Sequence, residues 1–142
     1  MDEEVQALAA RLVRRLKEVN ATITIAESCT GGLLASTLTD ISGASDWFGQ
    51  SWVCYSYESK INELDVQREL LESKGAVNAT VAIQMADGAR IRSGADIAIS
   101  ITGIAGPVAL NSNKPVGLVY VGIASAHWAN AESVQMGGTR QE

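Results

Sequence analysis

Ser28 is the first residue in this chain whose surroundings suit chemistry. It stands in Ala26-Glu27-Ser28-Cys29-Thr30-Gly31-Gly32, where four side chains able to hydrogen-bond or react precede a glycine pair. Such a turn aims free backbone N–H groups at one spot, at the positive end of a following helix. That spot suits a phosphate, a carboxylate or a transient oxyanion. The glycines let a ligand approach the backbone where a Cβ would block it. Ser28 is therefore a candidate nucleophile, and it or Thr30 is equally a candidate helix cap. Cys29 is the rival nucleophile, since a thiol at a helix N-terminus ionises more easily; packing as a small apolar group is its other use.

A serine nucleophile needs a base. The one histidine, His127, lies beside Trp128 far along the chain and reads as a surface or interface residue. Lys60, in Tyr55-Ser56-Tyr57-Glu58-Ser59-Lys60, is the alternative. Its ammonium ordinarily titrates near ~10.4, and burial lowers that value toward neutrality. Serine–lysine pairs are a known variant of triad chemistry. A solvated lysine at a helix start is the competing reading. A third polar cluster runs from Ser100 through Thr102, Gly103 and Gly106 to Pro107.

These clusters must be positioned by strands and helices. Thr22 to Ala26 is β-branched or apolar and predicts a buried strand. Leu33 to Ile41 predicts a helix after the turn. Apolar spacing predicts an earlier helix from Met1 to Glu18, acidic at its start and basic near its end. Gln50 to Tyr57 predicts a second strand, with Trp52, Cys54 and Ser56 on one face. Short helices are expected over Glu58 to Leu64 and Val66 to Lys74. A longer one, Ala79 to Arg92, should be capped by Asn78, with Ile83, Ala86 and Ile91 inward. Asp96 to Ile101 and Pro115 to Ala124 predict strands around a loop from Thr102 to Asn113, and Glu132 to Met136 a last short strand. Alternating strands and helices predict a three-layer α/β/α sandwich. The polar clusters follow strands, so parallel neighbouring strands would bring them to one crevice.

Composition narrows the function. The 142 residues fit one domain, and 46% hydrophobic with 19% charged is ordinary for a globular protein. A net charge of -5 argues against a nucleic-acid partner, which requires a basic footprint. Two cysteines make neither a disulfide framework nor a zinc spacing. No apolar run suggests a membrane span, and the acidic N-terminus lacks a signal-peptide core, so a cytoplasmic location is expected.

Taken together, Ala26 to Gly32, Tyr55 to Lys60, Ser100 to Pro107 and Lys114-Pro115-Val116-Gly117 resemble the CinA C-terminal domain family of nicotinamide-nucleotide amidases. The likeness runs from the first helix to Arg140. It implies an α/β/α sandwich, commonly dimeric, that hydrolyses the amide of nicotinamide mononucleotide with no metal or cofactor. The implied nucleophile is Ser28, with Lys60 taking its proton directly or through Tyr55. Backbone N–H groups around Thr30 and Gly31 would hold the oxyanion. Glu27, Thr30, Gly31, Gly32, Thr102, Gly103 and Gly106 would line the substrate pocket, and Arg140 would meet the 5′-phosphate. The chain departs from the family pattern at Tyr57, where asparagine is frequent, and at Val108-Ala109-Leu110, where Asp-Gly-Gly is usual. The family's final helix would follow Arg140, and its larger members carry a further N-terminal domain. Two other readings are a nucleotide-binding module without catalysis and a dimeric interaction subunit anchored by Trp47, Phe48 and Trp52.

Overall fold

The computed structural model describes residues 2–104 and 114–137. Helix α1 (Glu3–Val19) starts on the Asp2 carboxylate, which accepts from the N–H of Glu4 and Val5, and ends on Asn20 in the left-handed conformation. Strand β1 (Ile23–Glu27) follows and is buried at every position. Then come α2 (Leu33–Thr39), a single 3-10 turn at Ala44–Asp46, and β2 (Phe48–Val53). Helices α3 (Tyr57–Leu64), α4 (Arg68–Lys74) and α5 (Ala79–Ser93) lead to β3 (Ile97–Gly103), β4 (Leu118–Ala124) and β5 (Ala129–Gln135).

The five strands form one sheet in the order β2-β1-β3-β4-β5. β2, β1 and β3 are parallel, while β4 and β5 run antiparallel. The sheet separates two apolar clusters, which is the expected three-layer α/β arrangement. One holds Ala9, Val13 and Leu16 of α1 against Ile23, Ile25, Leu38 and Trp47. The other holds Val81, Met85, Ala86 and Ala89 of α5 against Ala26, Cys54, Leu64, Ala98 and Ala124. Alternation along β1 explains the division: odd positions face α1 and α2, even positions face α5. Glycine permits the tightest contacts of the second layer. A Cβ on Gly88 of α5 would lie 1.9 Å from the Leu64 carbonyl oxygen, so α5 touches the end of α3 backbone to backbone.

Several expectations require correction. The second strand ends at Val53 and not at Tyr57. Ser56 turns the chain instead, accepting from the Ser59 N–H as N-cap of α3, and this local bond outweighs the strand preference of the tyrosines. Ile91 is 64% exposed, because the buried side of α5 is the alanine-rich stripe. Thr102 and Gly103 belong to β3, not to a loop. The last strand starts at Ala129 and spans seven residues, almost all exposed; ladder bonds to β4 hold it there. Trp47 is core, 1% exposed, and Phe48 and Trp52 are half-buried against the two clusters, so none of the three stands out as a surface anchor.

Candidate active site

The carboxyl ends of β2, β1 and β3 lie side by side, and Ser28 leaves the middle one. Its N–H donates to the Ile101 carbonyl of β3 at 3.0 Å, and the Cys54 N–H after β2 donates to the Glu27 carbonyl at 2.8 Å. Residues 27 and 28 are thus held from both sides. Consecutive residues leaving a strand point to opposite faces. Glu27 shares the face of Ile23 and Ile25 toward α2, and Ser28 turns toward α3.

Lys60 meets it there. The Lys60 side chain is 1% exposed, and its Nζ lies 2.8 Å from Ser28 Oγ. The same nitrogen donates to the carbonyl oxygens of Cys54 at 2.8 Å and Tyr55 at 3.0 Å. Those carbonyls are available because β2 has ended and the chain is turning into α3. Lys60 is the fourth residue of that helix, where the dipole disfavours a positive charge. Burial lowers its pKa from the ordinary 10.5 to about 8, against the opposing pull of Cys54 and Cys29. An ammonium donates to all three neighbours. The neutral amine keeps two N–H groups on the carbonyls and turns its lone pair to the Ser28 hydroxyl. Cys54 is buried and its thiol is pushed up, Lys60 pulling the other way.

The turn after Ser28 is closed by its own bonds. The Gly31 N–H donates to the Ser28 carbonyl and the Leu33 N–H to the Thr30 carbonyl, both at 3.2 Å. Gly31 therefore offers no spare donor. Among the described residues, the N–H groups of Thr30 and Gly32 have no acceptor. Gly31 and Gly32 both adopt positive φ, 65° and 105°, which explains the glycine pair.

The other expected site residues divide. Thr102 is 1% exposed and its hydroxyl donates to the Ala76 carbonyl at 2.9 Å, which ties β3 to the loop before α5. Gly103 lies tight against the start of β4, since a Cβ would lie 2.8 Å from the Leu118 carbonyl oxygen. Lys114 reaches the same loop, donating to the Val77 carbonyl. Tyr55 is 58% exposed and meets Lys60 through its backbone carbonyl. Tyr57 opens α3 beside Gly75, and the Ser28–Lys60 contact forms with tyrosine at that position. Cys29 is half-buried. His127 is exposed in the β4–β5 turn, at the opposite end of the sheet from Ser28. Gly106, Val108-Ala109-Leu110 and Arg140 lie outside the described residues. Among the described residues no helix is long and apolar enough to cross a membrane.

Glu27 is the residue whose place the sequence did not indicate. Its carboxylate is fully buried and accepts from Thr30 Oγ1 at 2.6 Å, the Leu34 N–H at 3.0 Å and the Ala35 N–H at 2.9 Å. It occupies the start of α2, which is consequently not open to a phosphate. The signal that could have found it is the strand's alternation, which sets residue 27 on the face opposite residue 28.

Known proteins share this architecture. The chain is 45% identical over 140 residues to a CinA-like protein of Geotalea uraniireducens, covering 99% of this chain and 33% of the relative. It is 53% identical over 111 residues to a CinA-like protein of Chlorobium limicola, covering 78% of this chain and 26% of the relative. The chain thus spans about a third or less of the length of these curated relatives. The crystal structure of the competence/damage inducible protein CihA of Agrobacterium tumefaciens superposes with a TM-score of 0.94 at 36% identity, covering 99% of this chain and 87% of that one. The family model of the CinA C-terminal domain matches residues 5–142, and the chain belongs to that family.

Proposed function

We propose that this chain is an amidase that hydrolyses nicotinamide mononucleotide to nicotinate mononucleotide and ammonia through a Ser28 acyl-enzyme. The observation that carries the reading is the 2.8 Å contact between a buried lysine amine and the serine hydroxyl. In the mechanism, Ser28 Oγ attacks the carboxamide carbon and its proton passes directly to the neutral Lys60 amine. The carbonyl oxygen, now an anion, takes hydrogen bonds from the Thr30 and Gly32 N–H groups; one such donor is typically worth ~3 kcal/mol of barrier. The tetrahedral intermediate collapses, Lys60 returns the proton to the leaving nitrogen, and ammonia departs. Water, deprotonated by the same amine, then attacks the ester and frees Ser28. Tyr55 supports the pair by holding one Lys60 N–H on its carbonyl.

The test is ammonia release from nicotinamide mononucleotide by the protein, with Ser28→Ala and Lys60→Met alongside. Release by the native chain that both substitutions abolish is the expected result. Binding of the nucleotide without release would leave a nucleotide-binding module in its place. Activity that survives Ser28→Ala but not Cys29→Ala would transfer the nucleophile to the thiol.

A further inference from the structure

Resting on the amidase reading, we propose that Glu27 is a positioning residue for Ser28, and that it does not touch substrate. The resemblance set Glu27 among the pocket residues; its contacts point the other way. All three hydrogen bonds of its carboxylate go to the turn and to α2, and no part of the residue is exposed.

The N-cap of helix α2 is Gly32, which has no side chain to cap it. Leu34 and Ala35, the second and third residues of the helix, would leave half-buried N–H groups without acceptors. The Glu27 carboxylate takes both from the neighbouring strand. One of its oxygens also receives the Thr30 hydroxyl. A single rigid group therefore connects the end of β1, the middle of the 28–32 turn and the first turn of α2. Ser28 and the two unpartnered N–H groups, of Thr30 and Gly32, lie inside that closed arrangement. Lys60 does not: it approaches from α3 on the other face of the sheet and shares no hydrogen bond with Glu27. Glu27 thus sets where the nucleophile and the oxyanion donors stand, and leaves the base alone.

Glu27→Gln retains the shape of the side chain but turns an N–H₂ toward one of these donors. The expected result is a fall in kcat on the order of 100-fold, as for a displacement of about 1 Å in an active site. KM and the pH midpoint of the rate should stay at their native values. Thr30→Val, which removes one of the three bonds, should give a smaller fall that Thr30→Ser restores in large part. A rise in KM at constant kcat would make Glu27 a substrate ligand and overturn the proposal, as would native kinetics in Glu27→Gln. If Glu27→Gln loses its circular dichroism, Thr30→Val decides, and native kinetics there overturn it.

A fluorophosphonate probe separates this proposal from the choice of substrate. Ser28 Oγ forms the bond to phosphorus, fluoride leaves, and the hydroxyl proton passes to Lys60. Slower labelling of Ser28 in Glu27→Gln supports the positioning role even if nicotinamide mononucleotide releases no ammonia. Labelling at the native rate opposes it even if ammonia is released. A native chain that neither releases ammonia nor takes the label has no activated serine, and both readings fall together.

Discussion

Strand β1 buries all five of its residues, whereas β5, in the same sheet, leaves six of seven exposed. Polar groups follow the same division. Thr24, Glu27, Ser28, Lys60, Ser100 and Thr102 are buried around the parallel strands, and each makes a hydrogen bond. Leaving any one of them unpartnered would cost about 1–3 kcal/mol, so each side chain there is fixed by its neighbours. At β5, Asn130, Glu132 and Ser133 face water, which partners them in any rotamer. The proposed nucleophile and base need a fixed distance, and the parallel half of the sheet holds Ser28 and Lys60 at one.

The largest effect that tests this division is on rate. Ser28→Ala should lower ammonia release on the order of 1000-fold or more. Its melting temperature should stay near native, because the substitution removes one hydroxyl and keeps the Ser28 backbone bonds. A variant that melts early would mean the serine is structural before it is catalytic.

Lys60 sharpens the comparison through pH. Its folded pKa of about 8 lies below the ordinary 10.5, so the folded chain releases a proton that the unfolded chain retains between those values. The burial penalty is present in full below pH 8 and is relieved as pH rises toward 10.5. It amounts to roughly 3 kcal/mol. Denaturant midpoints of the native chain should therefore rise relative to Lys60→Met across that window, and parallel curves would remove the desolvated lysine. The ratio kcat/KM should climb as pH rises toward and through about 8 and level off at higher pH, as the neutral base accumulates.

Gly88→Ala acts on the scaffold beneath the site. Its Cβ would meet the Leu64 backbone, which cannot move without shifting α3 and with it Lys60. Overpacking of this kind costs about 1–3 kcal/mol or more. The measurement is a denaturation curve together with the rate, and both should fall.

How much of this was legible in the chain follows the same division. Ser28 and Lys60 could be picked out because the turn glycines and a single, distant histidine restrict the chemistry. The packing of α5 was harder to read. Its buried side is Val81, Ala82, Met85, Ala86, Gly88 and Ala89, four of them alanine or glycine, so the larger Ile91 drew attention to the wrong face. The end of β2 was misread because one serine cap decides it, and strand preference cannot register a bond of that kind. Most of β5 escaped for the opposite reason. Ala129-Asn130-Ala131-Glu132-Ser133 has no apolar alternation, and the strand exists through its pairing with β4.

That dependence makes β5 the place for the smallest expected effect. Val134 is 45% exposed, and its backbone is paired with Val119. Val134→Thr keeps the β-branch and the ladder and changes one methyl to a hydroxyl that water can reach. Stability should move by less than about 0.5 kcal/mol, and kcat and KM should not move at all. Within the sheet the site is reached from β5 through β4 and then β3, so an altered rate would mean that the exposed edge shapes the crevice after all. A shift in midpoint well above that limit would mean that the face carrying Val134 and Val121 is covered in solution, and that β5 is as constrained as β1.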